Sequence, residues 1–277
     1  MSNLILASAL VSAFYGVLSP VVAMPLYDNM LFFPTQQFAT DFDELGGYEK
    51  EDATFLSANG SKIHAWYFPV PHSRGTVIIS HGNAGNITYR VPLIEMLLKQ
   101  KLSVLAYDYQ GYGKSEGKPT IDHVCEDGLA AYDFLTNERG VEPTKIIVYG
   151  ESLGGGVASY TAANREVAAI ILQSTFSSLP HIARSKMMLM KLYPNFLFPK
   201  NCLDSAKLMS KAHAPLLIVH GADDTIIPLS EAHELFKHAV EPKKLVKIED
   251  ANHNDMYGSR FEINLNAAVA NFLDTVL

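Results

Sequence analysis

The sequence predicts an α/β protein, with a mostly parallel central sheet flanked by helices and a small helical cap. Runs at residues 76–80, 102–107, 145–148, 169–172, 216–219 and 245–248 are almost continuously apolar, as strands covered on both faces must be. Helical patterns at 91–100, 121–138, 153–165, 229–240 and 261–277 alternate with them, and strand–helix alternation folds into a parallel sheet between helices. Ahead of these lie two β-rich runs, 52–56 and 63–68, separated by Asn59-Gly60, a hairpin signal that starts the sheet antiparallel.

Composition sets the limits. The chain has 277 residues, 48% of them apolar and 18% charged, and no linker, charge block or repeat divides it. One domain is expected over residues 27–277, with a cap at 176–215. A net charge of -7 without a basic cluster argues against nucleic acid as a partner. Cys125 and Cys202 form no CxxC or metal-spaced pair, and no HExxH or Cys/His cluster suggests a metal.

Residues 1–26 read as a separate appendage. No charged side chain precedes Asp28, and a run of this length can cross a bilayer core, although Pro20 would kink or end a helix there. A retained anchor is favoured over a signal peptide because basic residues are missing near the start, although Val21-Val22-Ala23 is a passable cleavage site. Membrane association through residues 1–26 is therefore expected, with the domain on the non-cytoplasmic side, or secretion if residues 1–23 are removed.

The chemistry gathers at strand ends, where an α/β sheet places its site. The run 145–148 leads through Tyr149 into Gly150-Glu151-Ser152-Leu153-Gly154. There the two glycines permit a turn so tight that a Cβ at either position would clash. Ser152 is thereby presented at a helix N-terminus, as a candidate nucleophile. Serine is a weak nucleophile and needs a base. His253, in Asn252-His253-Asn254-Asp255 after the last strand, is the histidine that stands at a strand end beyond the acid-bearing strand. Asp223 or Asp224, after His220-Gly221, can hold that imidazole. The order Ser, Asp, His is the one expected for this architecture.

Two competing motifs fail. Asp108 stands where a phosphate-binding Walker loop ending at Gly113-Lys114-Ser115 requires glycine. The spacing of Gly113 and Gly117 does not fit a dinucleotide fingerprint.

These motifs together resemble the α/β-hydrolase fold, and within it the membrane-anchored α/β-hydrolase-domain-containing proteins of types thirteen and seventeen, which include protein depalmitoylases. The resemblance rests on Leu31-Phe32-Phe33-Pro34, His81-Gly82-Asn83-Ala84-Gly85-Asn86, Asp108-Tyr109-Gln110-Gly111-Tyr112-Gly113-Lys114-Ser115, Gly150-Glu151-Ser152-Leu153-Gly154, the segment from His220 to Pro228, and Asn252-His253-Asn254-Asp255. It implies Asp224 rather than Asp223 as the acid. Depalmitoylase members carry a cysteine-rich N-terminus, whereas this chain has no cysteine before Cys125. In this architecture backbone amides form the oxyanion hole, so Leu153 N–H and Asn83 N–H are the expected donors, and His81 and His220 are read as turn residues.

The expectation is a serine hydrolase that cleaves carboxylic ester or thioester bonds through an acyl-enzyme, with no cofactor. The substrate would be a small-molecule or lipid-like acyl compound. The apolar segments Met187-Met188-Leu189-Met190 and Phe196-Leu197-Phe198 would line an acyl pocket under the cap. The rivals are a catalytically silent binding module and an acylpeptidase-like serine peptidase.

Overall fold

The structure is a computed structural model that describes residues 13, 15–199 and 203–277. The first half of the expected anchor and Cys202 lie outside the described residues. An eight-stranded sheet forms the centre, in the order β1-β2-β4-β3-β5-β6-β7-β8. Its strands are β1 (Glu51–Leu56), β2 (Lys62–Phe68), β3 (Thr76–Ser80), β4 (Ser103–Tyr107), β5 (Ile146–Glu151), β6 (Ala169–Gln173), β7 (Leu216–Gly221) and β8 (Lys243–Ile248). The hairpin pair β1–β2 and the pair β2–β4 are antiparallel. Every other neighbouring pair is parallel.

The helices are α1 (Met24–Leu31), α2 (Val91–Lys99), α3 (Ile121–Asn137), α4 (Leu153–Asn164), α5 (Leu179–Lys186), α6 (Ser205–Met209), α7 (Leu229–His238) and α8 (Glu262–Val276). Strands β3 to β7 are buried along their length except at Glu151, the last residue of β5, which explains their apolar runs. Alternate side chains serve opposite layers. Val77, Ile79, Ile147 and Ile171 pack with Leu93, Leu97, Val269 and Phe272 from α2 and α8. Ile78, Val148, Ile170 and Leu172 pack with Val124, Leu135 and Val157 from α3 and α4. Thr120 caps α3 by accepting a bond from His123 N–H at 3.1 Å, which satisfies one of the donors that a helix start leaves open.

The described part of the N-terminal segment packs on the domain. Among the described residues no helix is long and apolar enough to cross a membrane. The chain turns around Ser19 and Pro20, and α1 then runs straight across the expected boundary at residue 26. Tyr15 stacks on Tyr193 of the cap with ring centroids 4.6 Å apart, and Val21 N–H donates to Leu197 O at 2.8 Å. Beyond α1, Phe33–Pro34 pairs in parallel with Ala84–Gly85, and Phe33 N–H donates to Asn83 O at 2.9 Å. An apolar run with few polar interruptions satisfies a protein groove as readily as lipid, so composition alone did not separate the two.

The cap is built from α5, two short 3-10 turns at Met188–Leu192 and Asn195–Leu197, and α6. Its own small core is Met190, Tyr193 and Phe198, against which Tyr15, Tyr27 and Ala183 pack.

Candidate active site

Ser152 sits between β5 and α4 with φ 54° and ψ -118°, a conformation that side chains rarely adopt and that the surrounding structure must enforce. The enforcement comes from close backbone approach. A Cβ on Gly150 would lie 2.4 Å from Gly154 O, and one on Gly154 would lie 1.9 Å from Ser80 O. Ser152 N–H donates to Gln173 O at 2.9 Å, and Ser152 O accepts from the Thr175 hydroxyl at 2.7 Å. The side chain is left at the floor of a cleft.

His253 Nε2 is 3.2 Å from Ser152 Oγ, and His253 Nδ1 is 2.7 Å from Asp224 Oδ2. With its proton on Nδ1 donated to Asp224, the imidazole presents Nε2 as an acceptor for the serine hydroxyl. The carboxylate is itself held, since Oδ1 accepts Ile226 N–H at 2.9 Å and Ile227 N–H at 2.7 Å. Asp223, the other acid considered, is exposed and uses its own N–H on Ala251 O. His253 is steadied further where its N–H meets Asn252 Oδ1 at 2.7 Å. Serine, histidine and Asp224 are therefore in the contact that their sequence positions anticipate.

Leu153 and Asn83 line the same cleft as Ser152. As the first residue of α4, Leu153 has an N–H with no intrahelical carbonyl to reach. Asn83 is fixed from three directions. Its carbonyl accepts Phe33 N–H and the Tyr112 hydroxyl, the latter at 2.7 Å, and its Nδ2 donates to Leu31 O at 2.9 Å. The N-terminal segment thus braces the loop from which the second expected oxyanion donor comes, a role for Leu31 and Phe33 that sequence reasoning missed.

The two turn histidines are buried. His81 donates from Nδ1 to Gly82 O at 2.7 Å and packs against Tyr109 and Tyr112. Burial first, then the Arg90 charge, hold its pKa down to about 3, so the ring is neutral and shapes the loop as expected. His220 lies closer to the chemistry. Its Nε2 is 2.8 Å from Ile227 O and 3.4 Å from Asp224 Oδ2, and burial lowers its pKa. It pins the acid-bearing loop from below.

A polar cleft of about 540 Å³ opens on one side of Ser152, lined among others by Arg90, Glu151, Tyr89, Asn254 and Tyr257. Arg90 Nε binds Glu151 Oε2 at 3.0 Å. Gly82 makes room for this pair, since a Cβ there would sit 3.0 Å from Arg90 Nη2. Glu151 stands inside the Gly-x-Ser-x-Gly turn and was readable as a neighbour of the serine; nothing in the sequence marked Arg90. An apolar cleft of about 430 Å³ shares Asn83, Ser152 and Ile226 with the polar one and has Leu31, Phe176, Leu179 and Ile182 among its other walls. Among the described residues no group of His, Cys, Asp or Glu is arranged to hold a metal.

A sheet in this order, with a serine turn after β5 and its histidine and acid on the loops after β8 and β7, defines a hydrolase of the α/β-hydrolase fold. The chain belongs to the family described as serine aminopeptidase, S33, whose family model matches residues 71–210. It is 30% identical over 269 residues to the protein YfhR of Salmonella typhi, covering 90% of this chain and 86% of that one. It is also 33% identical over 198 residues to the human alpha/beta hydrolase domain-containing protein 17B, covering 69% of this chain and 65% of that one. Among solved structures, the Pyrococcus furiosus esterase Pf2001 superposes with a TM-score of 0.74 at 24% identity, covering 89% of this chain and 98% of that chain. Est1E of Butyrivibrio proteoclasticus, solved with ferulic acid bound, gives 0.66 at 23%, covering 81% and 99%. These two likenesses concern the fold.

Proposed function

We propose that the protein hydrolyses carboxylic esters or thioesters of apolar acyl groups through an acyl-enzyme formed on Ser152. The observation behind this reading is the continuous contact from Asp224 through His253 to Ser152, at 2.7 and 3.2 Å. In this reading His253 Nε2 takes the serine proton as Oγ attacks the acyl carbon, and Asp224 stabilises the imidazolium so formed. The amides of Leu153 and Asn83 receive the developing oxyanion. The imidazolium then protonates the departing alcohol or thiol. Water repeats the sequence on the acyl-enzyme and releases the acid. No cofactor enters any step.

A binding module would have no use for all three partners in register. Aminopeptidase chemistry, suggested by the family description, needs a carboxylate free to receive a substrate ammonium. Glu151, the carboxylate that lines the polar cleft, is engaged by Arg90. Attachment to a membrane through residues 1–26 belongs to the same proposal. Its support is the uncharged N-terminal run and the exposure of Val17, Val21, Val22, Leu26 and Met30, and fractionation of the full-length chain tests it.

The decisive experiment is labelling by a fluorophosphonate together with turnover of p-nitrophenyl esters. Wild type should label and turn over, and Ser152→Ala and His253→Ala should each lose both while melting as a folded protein, because members of such a set act as a unit. Wild-type-like turnover in either folded variant would refute the assignment.

A further inference from the structure

The apolar cleft beside Ser152 has a neighbour with which it shares four walls. Leu31, Leu179, Ile182 and Lys186 line that cleft and also line a second cavity of about 290 Å³ between α1 and the cap. The cavity continues past Met24, Tyr27, Ala183, Met187, Met190 and Phe198. Its lining is almost wholly hydrocarbon, and Lys186 donates its ammonium to Thr225 O at 3.0 Å, on a wall of the cleft beside Ser152 and not of the cavity, leaving its stem at the junction. Tyr27 is fixed at the far side by its hydroxyl bond to Leu18 O at 2.8 Å, and Met190 and Phe198 are buried in the cap core behind it.

We infer that this cavity is the distal part of the acyl site, so that α1, which crosses the boundary expected between anchor and domain, is the outer wall that sets the length of chain the enzyme accepts. The inference rests on the hydrolase reading above and adds to it the identity of the wall. An alkyl chain esterified at Ser152 has an apolar path past Leu31 and Ile182 into the cavity. Burial there excludes water from each added methylene, and flexible Met side chains adjust to its curvature. Each methylene that enters should raise kcat/KM up to about fourfold until Tyr27 and Met190 are reached. The polar cleft that also borders Ser152 is left for the alcohol or thiol that departs.

The test is the ratio of kcat/KM for decanoyl to butyryl p-nitrophenyl esters, a ratio that cancels any loss of active protein. It is measured on the full-length chain and on two variants that fill the cavity away from Ser152. Ala183→Phe fills it from the cap, and Met30→Trp fills it from the half-exposed side of α1. Wild type should prefer decanoate, and each variant should lower the ratio at least tenfold. Tyr27→Ala, which opens the far end, should move the preferred chain length upward. Ratios that stay at the wild-type value in all three variants would overturn the inference while leaving the hydrolase reading intact. Absence of ester turnover and of fluorophosphonate labelling in wild type would overturn both.

Discussion

Replacing Asp224 by Asn changes one atom in the site and should nearly silence it. In the folded protein Oδ1 accepts two backbone N–H groups at 2.9 and 2.7 Å while Oδ2 accepts His253 Nδ1 at 2.7 Å. An asparagine can keep its oxygen in only one of those places. Facing its amide nitrogen toward Ile226 and Ile227 sets donors against two donors, so the oxygen stays there and the NH₂ faces His253. The imidazole must then accept at Nδ1 and carry its proton on Nε2, which points at Ser152 and can no longer take the serine proton. Loss of the correct tautomer in a Ser-His-Asp site costs about 10,000-fold in kcat, equivalent to roughly 5 kcal/mol of barrier. KM should change little, because Asp224 does not border either cleft. The assay is steady-state hydrolysis of a p-nitrophenyl ester by Asp224→Asn and by Asp223→Asn, whose side chain is exposed. An Asp224→Asn enzyme that keeps a tenth of wild-type kcat, or an Asp223→Asn enzyme that loses more than it does, would refute the tautomer argument.

Gly154→Ala should fail at the level of folding, because its Cβ would lie 1.9 Å from Ser80 O and 2.6 Å from His81 O. A loss on the order of 3 kcal/mol or more is expected, read as a fall in Tm of roughly 10 °C, whereas Gly16→Ala, with open space around it, should melt like wild type. Acid should destabilise the protein through His81. Its folded pKa lies near 3, below the ordinary value of 6.5, so as pH falls between those values the unfolded chain takes up a proton the folded chain refuses, and stability is lost. The contribution is roughly 3 kcal/mol by pH 4. It is offset in part by Asp108, 3.7 Å from His81 Nε2, whose pKa is raised by burial and whose linkage has the opposite sign. Denaturant titrations of wild type and His81→Asn at pH 7, 5 and 4 should show the shallower dependence in the variant; equal slopes would show that His81 is not the source.

The strands and most helices were legible in the sequence for a single physical reason. A strand covered on both faces is apolar along most of its length, as β3 to β7 are, so errors were confined to the ends, the largest being the three residues by which β5 outruns its expected end at 148. The site was legible because strong constraints write themselves into residue type. Gly150 and Gly154 answer to backbone collisions, and Ser152, Asp224 and His253 stand after the strands β5, β7 and β8. The choice between Asp223 and Asp224 came from resemblance, and its geometric basis, the two amides of Ile226 and Ile227 closing on Oδ1, is visible only in three dimensions. Arg90 left no mark because its role depends on a partner, Glu151, distant in the chain. The expected anchor shows the limit of hydropathy. Residues 15–31 are apolar enough for lipid, and only the stacking of Tyr15 on Tyr193 and the bond from Val21 to Leu197 reveal that this part of the run has a protein surface to lie on.

The bracing of Asn83 by Leu31 and Phe33 has a consequence for when the site comes into being. During synthesis this stretch leaves the ribosome early, yet the loop it pairs with and the cap residues it packs on are made much later. The strap's contacts with the cap join segments far apart in the chain, and the entropy of bringing them together must be met before they contribute. The central sheet can assemble from its own apolar strands while the N-terminal strap is still undocked. At that stage the carbonyl of Asn83 lacks its bond from Phe33, and the loop that bears its amide is not yet held. Competence for chemistry therefore depends on the docking of the strap as well as on the sheet, since the sheet alone leaves the loop that bears the Asn83 amide without its brace.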